Sequence, residues 1–156
     1  ANERIFLLSY HALDKRAWDR GLWRAQRRRR IVKVPTMSVH IDERKRIVVV
    51  EGSGLWDMDL FVKYSPVLAD CIAKARSRYQ RVLVLGDFGA IDIIPAEVAT
   101  QMAQWSKDTY RAGDSAAIVL SSSLGKLQIK RILNNAHTEF FDSRVQAEHW
   151  LQSRPV

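Results

Sequence analysis

The sequence predicts an α/β domain built on a mostly parallel sheet, and three observations carry that prediction. From Met37 onward, short β-branched or apolar runs alternate with segments whose apolar residues recur at spacings of three and four. Strands that alternate with helices imply parallel pairing. The runs Ile47-Val48-Val49-Val50 and Val82-Leu83-Val84-Leu85 lack polar alternation, as expected of strands covered on both faces. A chain of 156 residues, 47% hydrophobic and 27% charged, is also long enough for one domain with a sizeable core.

Each element has its own signal. Ser38 to Ile41 and Ile47 to Val50 flank the polar turn Asp42-Glu43-Arg44-Lys45 and read as a β-hairpin. Gly52-Ser53-Gly54 breaks the second strand, and Asp57 can cap a helix reaching about Arg78. Pro66 inside that helix is expected to kink or split it. Arg81 to Gly86 reads as a buried strand. Pro95 is suited to the first position of a helix running to Arg111 and stopped by Gly113. Ala116 to Leu120 is a further strand, and Ser121-Ser122-Ser123 leads into a helix from Leu124 to about Asn135. Thr138 to Phe141 forms the last strand, and Ser143 caps a closing helix carrying Val145, Ala147, Trp150 and Leu151. The expected order is ββαβαβαβα, with right-handed crossovers.

Charge divides the chain. Residues 1–36 hold ten Lys and Arg against three Asp and Glu, whereas residues 37–156 hold fifteen against fourteen. We therefore read 1–36 as a basic, partly helical arm and 37–156 as a nearly neutral domain. In the arm, Trp18 and Trp23 interleave with Arg16, Arg20 and Arg24, and Arg27, Arg28, Arg29 and Arg30 follow. Arginines bind phosphates, and Trp rings stack on bases or sit at a lipid interface. One expectation is thus a nucleic-acid or anionic-membrane contact through Trp18, Trp23, Arg24 and Arg27 to Arg30. Alternatively the arm is structural or dimer-forming, or the native protein starts at Met37. Ile5 to Leu8 is too short for the core of a secretory signal, and no apolar run reaches the ~18–20 residues of a membrane span. A single cysteine, Cys71, excludes an internal disulfide and suits a reducing, cytoplasmic setting.

Ligands of open α/β sheets favour the carboxyl ends of the parallel strands. That places a candidate binding surface at the expected loop Gly86 to Asp92, with Asp87, Phe88 and Asp92, and at Ser121, Ser122, Ser123 and Lys126. Helix-start N–H groups beside a lysine suit an anion, although Ser123 as a simple N-cap explains the same residues. The phosphate-loop pattern is absent, because Leu127 stands where a hydroxyl is needed. Asp87 and Asp92 form a carboxylate pair only if their loop brings them together. His11, His40, His137 and His149 make no metal motif, and none is expected beside the serines. We therefore expect no catalytic group, metal or cofactor.

The segment Met37 to Gln152 resembles the small bacterial SpoIIAA-like proteins, relatives of the STAS (anti-sigma-factor antagonist) fold. The resemblance rests on Ile47-Val48-Val49-Val50-Glu51-Gly52, on Val84-Leu85-Gly86-Asp87-Phe88, and on Phe140-Phe141-Asp142 with Ala147-Glu148-His149-Trp150-Leu151. It implies a mixed, mostly parallel sheet and a non-enzymatic interaction module. Such a module would engage a partner protein or a small anionic or amphipathic ligand; separately, the edge strands and helix faces of the expected sheet leave room for a twofold partner, so a homodimer is a further expectation. STAS antagonists carry a serine or threonine directly after an aspartate at a helix start. Here Asp92 is followed by Ile93 and Ile94, which accept no phosphate, so no phosphorylation switch is expected at this place.

Overall fold

The computed structural model describes residues 35–91, 94–121, 127, 129–131, 133 and 137–154. The expectations for the arm residues through 34, and for Asp92, Ser122, Ser123 and Lys126, lie outside the described residues.

Five strands form one sheet: β1 Thr36–Asp42, β2 Ile47–Gly54, β3 Leu83–Ile91, β4 Ser115–Val119 and β5 Thr138–Phe141. Their spatial order is the chain order, β1-β2-β3-β4-β5. β1 is antiparallel to β2, and the other neighbours are parallel. The helices are α1 Met58–Arg78, α2 Ala96–Thr109 and α3 Arg144–Ser153, with further helical residues at 127 and 129–131.

Strand side chains alternate between faces, and here both faces are apolar. Val48, Val50, Val84, Phe88, Ala116 and Ile118 join Ile72 and Ala75 of α1, Ala103 of α2, Ile129 and Leu133 in one core. Ile47, Val49, Leu83, Leu85, Ala117 and Val119 meet Ala147 and Leu151 of α3 in a second, smaller one. Monotone strand order explains this split. Right-handed crossovers that all advance in one direction leave their helices on one side of the sheet. The other side is left to α3.

Asp57 caps α1 as expected, its Oδ1 accepting from the Leu60 N–H at 2.8 Å. Ser143 caps α3 by accepting from the Gln146 N–H at 3.3 Å. Pro66 neither splits nor ends α1, which runs through it for 21 residues. The carbonyl freed by the missing N–H is that of Val62. Val62 and Pro66 both lie on the exposed side, where water can take the place of the lost bond. Pro95 is the N-cap of α2 rather than its first residue, and α2 ends at Thr109. Gly113, with φ +92°, serves the turn before β4 instead.

The largest departure concerns β3. It extends to Ile91 because β2 continues to Gly54 and pairs along it, Glu51 with Asp87, Ser53 with Ala90 and Gly54 with Ile91. Gly86, Asp87 and Phe88 therefore lie within a strand, not in a loop beyond one. No helix among the described residues is long and apolar enough to cross a membrane.

Candidate functional site

The first candidate site lies between the sheet and the pair α1 and α2. The spacing of apolar residues brings Phe61 and Leu68 of α1 and Met102 and Trp105 of α2 toward the same strands, but the two helices do not close over them. A cavity of about 60 Å³ remains, floored by Val50, Val84, Gly86 and Phe88. Its walls are apolar except for a few hydroxyls, among them those of Ser65 and Tyr110. Gly86 helps to set its depth: a Cβ there would lie 2.9 Å from Ile118 Cδ1 and 3.0 Å from the Phe88 ring. Phe88 in turn meets Trp56 edge-on, with ring centroids 4.8 Å apart. Burial, and then the nearby Asp114 carboxylate, raise the Tyr110 phenol far above its ordinary value, so it remains a neutral hydroxyl.

Phe88 is thus corrected in place. It is 4% exposed and borders the cavity between the sheet and the helices rather than presenting itself from a loop. Asp87 points to the opposite face, toward α3. There Arg144 pairs with Glu51, stands 3.6 Å from Asp87 Oδ2 and donates through Nε to Glu148 Oε1 at 2.9 Å. Glu148 also receives Lys45 Nζ at 2.6 Å. The hydrogen bonds that Arg144 donates to Glu148 and Glu51 raise its pKa. Lys45 foremost, then Arg144, holds the Glu148 carboxyl below its usual value. Asp87 also accepts from the Gly89 N–H at 3.3 Å. Two cations, Arg144 and Lys45, thus bridge three carboxylates, an arrangement that ties α3 to the sheet.

Ser121 donates its hydroxyl hydrogen to the Gly89 carbonyl at 2.7 Å and so ties the carboxyl ends of β4 and β3 together. His137 sits at the amino end of β5, its Nδ1 3.2 Å from the Asp114 carbonyl oxygen, whereas Ser121 follows the carboxyl end of β4. Cys71 packs at the edge of the larger core, and burial raises its thiol pKa. Among the described residues no group of three or more His, Cys, Asp or Glu is placed to hold a metal ion.

Two arrangements had little trace in the sequence. Asp114, 4% exposed at its side chain, accepts from Arg76 at 2.5 Å and from the Val82 and Arg111 N–H groups at 3.0 and 2.9 Å. It reads in sequence as an ordinary turn aspartate after Gly113. Arg144 had one available signal, its spacing of four from Glu148. Its link to Glu51, 93 residues away, had none.

No family model matches the chain, and no curated protein matches it. Solved structures do share its fold. An anti-sigma factor antagonist from Mycobacterium paratuberculosis aligns with a TM-score of 0.54 at 14% identity, over 77% of this chain and 96% of that one. An uncharacterized protein with a SpoIIAA-like fold from Shewanella loihica aligns with a TM-score of 0.55 at 15% identity, over 75% and 93%. The anti-sigma factor antagonist SpoIIAA in its unphosphorylated form aligns with a TM-score of 0.54 at 10% identity, over 78% of this chain and all of that one.

Proposed function

The chain has the SpoIIAA-like fold, and we propose that it serves as a non-enzymatic binding module whose occupant is a small amphipathic molecule. The apolar cavity between α1, α2 and the sheet carries this reading. Apolar surface that already lacks protein neighbours on one side favours an apolar occupant. The neutral hydroxyls of Ser65 and Tyr110 suit the polar group of such a molecule better than a charged one.

Substituting Ser65 tests the reading, because filling the cavity and losing the occupant then act in opposite senses. Ser65→Leu places an apolar side chain in the cavity wall, so the melting temperature of the free protein rises. The same change abolishes the further rise that short-chain alcohols, from ethanol to butanol, produce in the unaltered protein. No melting shift across the alcohol series in the unaltered protein would rule out the cavity as a binding site.

A second reading, a surface for a protein partner, is favoured by the outer side of α1 and its approach. Leu55, Val62 and Val67 are exposed there by 52%, 62% and 44%. Two of the fold neighbours are anti-sigma factor antagonists. Val62→Asp would weaken such an association without touching the cavity.

A further inference from the structure

β1 pairs with β2 on one side, and no described strand lies along its other side. It keeps register with β2 over all seven residues, Thr36–Asp42, and contains no proline, lysine or bulge. Those are the devices by which natural sheet edges turn away another strand. The opposite edge, β5, is only four residues long. We propose that β1 pairs antiparallel with β1 of a second copy of this chain, about a twofold axis at Val39.

The sequence of β1 is complementary to itself. An axis at Val39 engages all seven residues and sets Met37 opposite Ile41 and Ser38 opposite His40 of the second copy. On the side of α1 and α2 apolar thus meets apolar, and there Met37, Val39 and Ile41 are only partly buried. On the other side a hydroxyl meets an imidazole, and the two can share a hydrogen bond. Like charges are nowhere set opposite each other, the arrangement that would oppose pairing.

α1 extends the same surface. It packs on β1 and β2, and its two flanks are distinct. Phe61, Ser65 and Leu68 border the cavity shared with α2. Arg78 reaches the other way, to Glu43 of the β1–β2 turn at 2.5 Å. At about 100° per residue, Leu60, Tyr64, Val67 and Cys71 share the flank of Arg78. Val67 is 44% exposed there, and the spacing of these four residues is that of a helix–helix seam.

One axis serves both elements. A helix centred over β1 and β2 stands about 5 Å from a twofold axis beside β1. Its mate is then about 10 Å away, the separation at which helices pack. A seven-residue strand alone is a small interface beside the about 800 Å² per partner of a stable one, so the α1 seam is a necessary part of it. Val62 lies about 140° around α1 from Val67 and stays outside this interface.

Sedimentation equilibrium of the full chain tests the proposal. The expected mass is twice the 17.9 kDa of one chain. Val67→Asp brings carboxylates to the seam, and Ser38→Lys places an ammonium on the strand edge. Each should weaken association roughly tenfold or more, while Val62→Asp leaves it unchanged. Both altered residues are exposed, so the far-ultraviolet circular dichroism of the variants should match that of the unaltered protein. A monomer at high micromolar concentration overturns the proposal. So does a dimer that either Val67→Asp or Ser38→Lys leaves intact, whether residues 1–34 or another surface holds it, and so does one that Val62→Asp dissociates equally.

Discussion

The indole of Trp56 lies against Gly52 so closely that a Cβ on the glycine would stand 2.3 Å from Cζ2. Trp56 is 1% exposed and among the largest fully buried side chains. Its ring is held on one side by Phe88, so it cannot yield by rotating outward. Gly52→Ala should therefore cost about 1–3 kcal/mol, as overpacking of a filled core does. The midpoint of urea unfolding, followed by far-ultraviolet circular dichroism, measures it. An unchanged midpoint would mean that the indole has room to move.

Asp114 should prove the costliest polar residue to alter. Replacing it by asparagine keeps its shape but leaves Arg76 without its anion. The expected loss is about 2–3 kcal/mol, the lower side of a buried pair because Arg76 is 22% exposed. A double cycle with Arg76→Met isolates the pair from the bonds to the Val82 and Arg111 N–H groups. If the losses of the two single variants simply add in the double variant, the backbone bonds outweigh the ion pair.

Arg144 joins α3 to β2 and β3, yet it is 39% exposed. Solvent screening reduces its worth, and Arg144→Met should destabilise by about 1 kcal/mol. Glu148 supplies the pH dependence. Its carboxyl titrates below the usual 4.5 in the folded protein, so its stabilising effect is complete above that value and fades as the pH falls through the folded-state value. The gap in urea midpoint between the unaltered protein and Glu148→Gln should be widest near neutrality and shrink under acid. A gap that stays constant below pH 4.5 would contradict the ion-pair account.

Cys71 should react slowly. Burial raises its thiol pKa above the usual 9.0, which lowers the thiolate fraction at pH 8. Modification by a disulfide reagent should be slower than that of free cysteine and should speed up in denaturant. A native rate equal to that of free cysteine would show that its helix opens readily.

Hydrophobic runs and caps made most of the fold legible. Ile47 to Val50 and Thr138 to Phe141 could be read as strands directly, and Asp57 and Ser143 announced the helices that follow them. Local punctuation misled where tertiary pairing outweighed it. Gly86 and Gly89 look like the end of a strand, but β2 holds that backbone extended to Ile91. Pro66 looks like a break, but its side of α1 faces water. The sites were less legible than the fold. Periodicity identified Phe61, Leu68, Met102 and Trp105 as inward-facing, yet whether two helices close over a sheet depends on their separation, which no local pattern encodes.

The placement of α3 has a consequence for synthesis. Every other described helical segment that borders a core lies over one side of the sheet, so Ile47, Val49, Leu85 and Val119 wait for Ala147 and Leu151 to cover them. At ribosomal rates of about 5–20 residues per second, several seconds separate the emergence of β2 from that of α3. During that interval the nascent sheet has a bare apolar side, the kind of surface that chaperones recognise and neighbouring chains adhere to. Substitutions that weaken α3 should thus reduce the yield of folded protein in cells by more than their effect on the purified domain suggests.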